Sequence, residues 1–352
     1  MSMVLARKPC QFPAIFNFGD SNSDTGGLSA AFGQSPPPNG LSYFGGPAGR
    51  YCDGRLVIDF IAQSLGLPYL SAFLDSVGSN FGHGANFATA ASTIRPQSTT
   101  LNQGGFSPIS LNVQYYEFHD FVVRSQVVRK RGGVFKTLMP KEEDFSSALY
   151  TFDIGQNDLT AGYFLNMSKD EVKAYVPDVL NQFQTIIQAS ITYNNQILDI
   201  YNEGGRYFWI HNIGPVGLME RIPVLAGQID EYGCASPFNE VAQFFNQDLV
   251  NVAITYVDVY SVKYSLISQG RKHGFKQPLR TCCGHGGKYN YNKKLGCGAK
   301  IYKHGKEALV GDPCQDPSTY VNCDGVHFTQ AANNYIFERI VNGLYFLCYV
   351  NI

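Results

Sequence analysis

Short apolar, β-branched or aromatic runs alternate along this chain with longer stretches of helical period. That alternation restricts it to an α/β architecture, a mostly parallel sheet joined by crossover helices. Strands are expected at Pro13 to Phe18, Ala148 to Ile154, Tyr207 to His211 and Ile254 to Val257. Leu56, Phe60, Ile61 and Leu65 share one helical face before Gly66 and Pro68 end the turn. Leu180, Phe183, Ile187, Ile191 and Leu198 predict a longer helix ending at Gly204-Gly205. Ile336, Phe337, Ile340 and Leu344 predict a last one. Ser35 to Asn39, with its three prolines, and Gly45-Gly46-Pro47 lie between a strand and an amphipathic helix, so they read as one long surface loop rather than a linker. With 352 residues and no repeat or convincing linker, the chain 1–352 is expected to form one domain, its core spanning about 12–346.

Charge excludes some classes of function. Charged residues make up 16% of the chain and the net charge is −1, so nothing draws the protein to polyanions, and nucleic acid is not an expected partner. The one basic cluster, Arg124 to Arg131, reads as a solvated helix end before Gly132-Gly133. No apolar run is long enough to cross a bilayer, so no integral membrane association is expected. Met1 to Lys8 has a basic flank without the apolar core of a signal peptide. Nine cysteines, five of them at Cys282, Cys283, Cys297, Cys314 and Cys323, favour disulfides and an oxidising compartment. A zinc site from Cys282, Cys283, His285 and Cys297 is the weaker alternative, because adjacent cysteines lack the spacing that brings two thiolates to one tetrahedral ion. No metal or cofactor is expected. Asn166-Met167-Ser168 is a glycosylation sequon, meaningful only in a secreted chain.

In open α/β sheets the loops leaving the carboxyl ends of strands line the ligand crevice, so chemistry is sought there. After the first strand comes Gly19-Asp20-Ser21-Asn22-Ser23-Asp24-Thr25-Gly26-Gly27, a serine held by small and turn-forming neighbours. Neither G-x-G-x-x-G nor a Walker Gly-Lys-Ser/Thr is present, and Asp20 and Asp24 would repel a phosphate. Nor is there a G-x-S-x-G elbow. After the second strong strand, Gly155-Gln156-Asn157-Asp158 offers an amide able to donate to an oxyanion. Near the C-terminus, Asp324-Gly325-Val326-His327 sets a carboxylate three residues before an imidazole, close enough to fold back and orient the ring. Each element alone has a plainer reading as a turn. His211, at the end of an apolar strand, is expected to be a structural histidine bonded to backbone. Tyr43-Phe44 and Tyr115-Tyr116 are candidate acyl or sugar contacts among mostly core aromatics.

Taken together and in order, these blocks resemble the GDSL or SGNH hydrolases, with Gly84-Ala85-Asn86-Phe87-Ala88-Thr89-Ala90-Ala91-Ser92 as their second block. The phrases Gln11 to Asn17, His83 to Ala88 and Cys282 to Asn290 resemble the plant subgroup of early-nodulin-type and latex esterases. The resemblance implies a three-layer α/β/α, flavodoxin-like domain and a secreted carboxylic ester hydrolase. Carried over by position, it makes Ser21 the nucleophile, His327 the base and Asp324 its orienting acid. Backbone N–H groups of Ser21 and Ala91 and the Asn157 amide would form the oxyanion hole. The substrate class implied is a small-molecule or glycan acyl ester: an acetylated glycan, a phenolic ester or a short-acyl lipid. An acyltransferase with the same triad and a silent carbohydrate-binding or defence protein are the competing readings. The chain departs from the family pattern at Ala91, where glycine is usual. It departs again at Leu218-Met219-Glu220, which replaces a stretch with a cysteine and so leaves Cys234 without its usual partner. Between Asn246 and Tyr256 less helix is expected than in relatives.

Overall fold

The computed structural model describes residues 11–96, 107–188, 191–193, 196–216, 229–292, 294–303 and 305–342. Its central sheet has five strands, β1 (Ile15–Gly19), β2 (Gly84–Asn86), β3 (Leu149–Asp153), β4 (Tyr207–His211) and β5 (Tyr256–Val257). They lie in the order 2-1-3-4-5, and every pairing is parallel. This is the flavodoxin-like order, in which the chain leaves β1 in one direction and returns on its other side at β3. The topological switch therefore falls between β1 and β3, and a crevice opens beyond their carboxyl ends.

Alternation along the strands feeds two cores. Phe16, Phe18, Tyr150, Phe152, Phe208 and Ile210 pack on one face with α3 (Leu111–Arg129), α5 (Lys169–Gln188) and α6 (Ser236–Leu249). Ile15, Leu149, Trp209 and Val257 pack on the other with α2 (Val57–Ser64), α7 (Val259–Ser268) and α8 (Gln330–Asn342). The result is the three-layer α/β/α arrangement. Phe18 stacks on Phe152 at 4.9 Å and on Phe87 at 5.3 Å, and Phe118 of α3 meets Phe18 edge-on at 5.6 Å, so aromatic rings seal the first core at the β1 end.

Most expected elements fall where periodicity puts them, with two differences. The helix through Leu180, Phe183 and Ile187 stops at Gln188, and Ile191–Tyr193 pairs antiparallel with Gln196–Leu198 as a small hairpin. Ile191-Thr192-Tyr193 is a β-branched and aromatic run followed by Asn194-Asn195, a strand-and-turn signal that outweighs helical spacing. The fifth strand starts only at Tyr256. The zinc alternative is overturned, because Cys282 is bonded to Cys314 and Cys283 to Cys297, leaving no thiolates for a metal. Cys234 is a free, buried thiol, as are Cys52 and Cys323. Arg129 ends α3, as expected of a basic helix terminus. Leu344 and Leu218-Met219-Glu220 lie outside the described residues.

Between α4 (Gln156–Phe164) and α5 the sequon residue Asn166 is exposed, with φ 59°. Glu117 on α3 is a different case. One of its carboxylate oxygens is buried with no hydrogen-bond partner, and burial pushes its pKa up to about 7. A carboxyl that holds its proton more tightly when folded stabilises at low pH and loses that advantage as pH rises from the unfolded value towards 7. Glu117→Gln is therefore expected to gain about 1–3 kcal/mol over the wild type at pH 8 and to match it near pH 4. Thermal unfolding at the two pH values checks this, and an equal or lower melting temperature at pH 8 refutes it.

Candidate active site

The crevice begins with Gly19, the last residue of β1. A Cβ there would lie 2.4 Å from Ser23 Oγ and 2.7 Å from the Asp153 carbonyl oxygen, so only glycine lets the turn close so tightly on β3. Its backbone is held from the neighbouring layer. Gln114 Oε1 accepts from Gly19 N at 2.9 Å, and Gln114 Nε2 donates to Gly19 O at 2.8 Å. Asp20 N donates to the Asp153 carbonyl at 3.1 Å, which carries the ladder one residue past the strand. Ser21 then sits at the head of the turn, half-buried.

Aspartates hold the loops beyond. Asp24 accepts from Gly26 N, Gly27 N and Leu28 N at 2.7, 2.6 and 3.1 Å, at the start of α1 (Gly27–Phe32), and from Ala90 N at 2.7 Å. One carboxylate thus ties the Ser21 turn to the Ala90-Ala91 loop. Asp158 does the same from the third block, accepting from Ile94 N at 2.8 Å and Arg95 N at 3.1 Å. Burial raises both, Asp24 to about 6 and Asp158 to about 7, against the backbone N–H groups that favour the charged form.

Three donors face this space. Among the described residues the backbone N–H groups of Ser21 and Ala91 have no hydrogen-bond acceptor. Asn157, at the start of α4, gives one amide hydrogen to the Ser92 carbonyl at 2.8 Å, while Nδ2 reaches Asp20 Oδ2 only at 3.3 Å. That second bond is long, so its hydrogen can turn to a closer acceptor. Ala91 has φ 63°, the left-handed region that disfavours any residue with a Cβ. The departure from glycine noted in the sequence is therefore a point of backbone strain.

Asp324 and His327 arrive from the other end of the chain. The segment before them, β9 (Tyr320–Asn322), lies parallel to β6 (Gln277–Thr281), while β7 (Cys283–Gly284) pairs with β8 (Asp312–Pro313). Cys282 N and Cys283 N donate to Asn322 O at 2.9 Å and Cys323 O at 2.7 Å, and both cysteines are clamped by disulfides. Asp324 Oδ1 accepts from Val326 N and His327 N, each at 2.8 Å, and Oδ2 meets His327 Nδ1 at 2.6 Å. Burial pushes the Asp324 pKa up, but His327 and the backbone donors prevail and hold it below the usual value. Beside His327, a cleft of about 20 Å³, room for one water, is lined by Gln156, Gly214 and Pro215, so the imidazole stands at the carboxyl edge of the sheet. Among the described residues neither Ser21 Oγ nor His327 Nε2 has a hydrogen bond. The Tyr51 ring lies 5.6 Å from the imidazole.

Below the turn is a group that sequence reasoning missed. His211 Nδ1 faces Asp153 Oδ2 at 3.4 Å rather than a backbone carbonyl, and its Nε2 is buried without a partner. That corrects the expected backbone bond, since the end of β4 lies beside the end of β3 and brings a carboxylate to the ring. Lys263 of α7, 4% exposed, completes the cluster. Burial pushes Asp153 up, but Lys263 and His211 keep it below the usual range. Burial and the Asp153 charge together raise Asp20 to about 7. Of these two acids Asp153 is the one that loses its proton first. Lys263 stood one helical turn inside an apolar helix, which was the available signal.

A flavodoxin-like parallel sheet whose switch-point loops carry a serine, unpaired backbone N–H groups and an amide, with an Asp–His pair at the same carboxyl edge, suits an acyl hydrolase outside the G-x-S-x-G class. The family model of the GDSL-like lipases and acylhydrolases matches residues 15–340, and the chain belongs to that family. It is 60% identical over 354 residues to Alpha-L-fucosidase 3 of Arabidopsis thaliana, covering 96% of this chain and 92% of that protein. It is 50% identical to an esterase of Hevea brasiliensis, with 98% and 89% covered, and 48% identical to GDSL esterase/lipase ENOD8 of Medicago truncatula, with 97% and 89% covered. These relatives agree with the plant subgroup expected from the sequence. The protein is a carboxylic ester hydrolase.

Replacing Ala91 by glycine removes the positive-φ penalty at the cost of a more flexible unfolded chain. Ala91→Gly is expected to stabilise the protein by about 0.5–1 kcal/mol. Denaturant titration measures it, and a destabilised variant would show that the alanine methyl packs usefully.

Proposed function

We propose that the protein hydrolyses acyl esters through a Ser21–His327–Asp324 triad and an acyl-enzyme. Ser21 Oγ attacks the ester carbonyl as His327 Nε2 takes its proton. The tetrahedral intermediate collapses, His327 returns the proton to the departing alcohol, and the acyl group stays on Ser21. Water then attacks in the same way and frees the acid. Asp324, charged and fixed by two backbone N–H groups, holds the Nδ1 proton and so directs Nε2 outward. The developing oxyanion is taken by the N–H groups of Ser21 and Ala91 and by the Asn157 amide. The observation that carries this reading is the set of donors left without acceptors, since buried-edge N–H groups are rarely wasted.

The name of the Arabidopsis relative raises glycoside hydrolysis as a second reading. That chemistry uses two carboxyl groups flanking the scissile bond. Here Asp324 is spent on His327 and Asp20 is buried below the turn, so the site suits acyl transfer. An acyltransferase shares the first half-reaction and differs only in the acceptor alcohol.

Extracellular residence and glycosylation at the exposed Asn166 belong to the same proposal, supported by two disulfides. Among the described residues no helix is long and apolar enough to cross a membrane. One domain over 1–352 is also proposed, on the support of a single large sheet whose faces carry both cores.

Ser21→Ala is expected to lose turnover of 4-nitrophenyl acetate and labelling by a fluorophosphonate, while 4-nitrophenyl α-L-fucoside stays untouched by the wild type. Labelling that persists in the mutant removes Ser21 from the mechanism, and fucoside cleavage that survives it favours the second reading. Asn157→Ala should lower kcat by roughly 10²–10³-fold with KM little changed, because its bond strengthens only as charge develops. A folded mutant with near-normal kcat would exclude the amide from the oxyanion hole.

A further inference from the structure

A second concavity lies on the α1 side of the turn. It is an open groove of about 700 Å³, walled by α1, by the 44–50 loop and by the 69–79 loop. Its lining separates candidate ligands. Thr25, Ser29, Ser71, Ser76 and Ser79 bring hydroxyls, and glycine and alanine supply much of the remainder, so a long acyl chain would find little apolar wall. Nor does the groove call for a charged ligand. Its arginine, Arg50, is buried and spent on Asp59 at 2.7 and 2.8 Å, and its acid, Asp75, accepts from Val77 N at 3.0 Å.

At the floor, Ser29 is 8% exposed and its Oγ has no hydrogen-bond partner. A buried hydroxyl left unpaired costs about 1–3 kcal/mol, which a ligand hydroxyl would recover. At the rim, Tyr43, Phe44 and Tyr69 form an edge-to-face cluster with centroids 4.9 to 6.2 Å apart. Tyr43 is 46% exposed, and its hydroxyl meets that of Tyr69 at 2.8 Å. Arg50 and Arg55 already stack on Phe44 and Tyr43, at 4.5 and 4.1 Å, so it is Tyr69, which lines the groove, that offers the apolar face and polar edge a pyranose requires. Tyr51 follows the groove's Arg50 along the chain, and its ring lies 5.6 Å from the His327 imidazole, so the groove and the Asp–His pair are linked through one residue.

We propose that this groove binds a neutral glycan chain, with Ser29 on its floor, Tyr43, Phe44 and Tyr69 on its rim and Tyr51 between it and the Asp–His pair. Resting on the triad proposed above, this makes the substrate an acylated neutral polysaccharide whose backbone lies beside α1 while its ester reaches Ser21.

Binding separates the two ideas, because it needs no turnover. The full-length Ser21→Ala protein is titrated calorimetrically with xylohexaose, cellohexaose and mannohexaose. At least one is expected to bind, more tightly than its disaccharide. Ser29→Leu, which fills the floor, and Tyr69→Ala, which strips the rim, should each weaken that binding by about five-fold or more. Tyr69→Ala changes only a surface ring and keeps the test open should Ser29→Leu not fold. No binding of any hexasaccharide at about 10 mM overturns the proposal, as does binding indifferent to Tyr69→Ala. So does a Ser29→Leu protein whose chief change is faster turnover of 4-nitrophenyl decanoate relative to the acetate, which would make the groove an acyl pocket. Glycan binding by a chain whose wild type hydrolyses no ester would sink the triad alone.

Discussion

The site hangs on a row of buried side-chain amides and hydroxyls laid across three strands. Thr151 on β3 donates to Asn17 Oδ1 at 2.7 Å, Asn17 Nδ2 donates to Asn86 Oδ1 at 2.7 Å, and Asn86 Nδ2 donates to Ser23 O at 2.7 Å and Thr25 Oγ1 at 2.8 Å. Asn86 Oδ1 also accepts from Ala88 N at 3.0 Å. In a low-dielectric interior a half-satisfied network of this kind would be worse than an apolar one. Each bond therefore enforces the others. The register of β1 against β2 and β3, the path after Ser21 and the start of the Ala88 to Ala91 loop are set together. Asp24 adds the second tie between the same two loops, and Gln114 fixes the strand end from above.

The charge beneath the turn follows from the same economy of burial. A carboxylate at the end of β3 is largely shielded from solvent, so it persists only with Lys263 and His211 beside it, while its neighbour Asp20 is driven towards the neutral form. Lys263 and His211 thus balance the Asp153 charge beneath the turn, and the second acid binds its proton more tightly than usual.

How much of this the sequence shows depends on whether a residue acts locally. Strand ends, α2 and the Asp324 to His327 turn were readable, because spacing within a few residues specifies each of them. The second and third blocks could be named as motifs. Asn86, Asp24 and Asp158 nonetheless looked like ordinary turn residues, since their hydrogen bonds span 61 to 69 residues of chain. Gln114 and Tyr51 left no local mark, their partners lying in other layers, and Lys263 left only its place inside an apolar helix. The extended helix through Leu198 failed for the opposite reason, a helical spacing of apolar residues carried across a β-branched run and an Asn-Asn pair that favour a hairpin.

Ser21 and His327 are held by unlike means, and that difference bears on how the site works. The serine rides on the sheet, the most rigid part of the fold, whereas the imidazole belongs to a segment gripped by β6, β7 and two disulfides. Closing loops of 14 and 32 residues, the cross-links take from the unfolded chain freedom worth about 3 kcal/mol or more each in the loop-entropy account. They also confine the Asp324–His327 turn where regular structure supplies few hydrogen bonds. Their absence would leave the Asp324–His327 pair intact, because its three hydrogen bonds lie within one turn, but would free that turn as a unit from the crevice. The free protein has no Ser21–His327 hydrogen bond, a common condition of unliganded sites that tighten around substrate. The two ends of the crevice are thus anchored independently, Ser21 by the end of β1 and its bond to β3, and the Asp324–His327 turn by a segment clamped through Cys282 and Cys283.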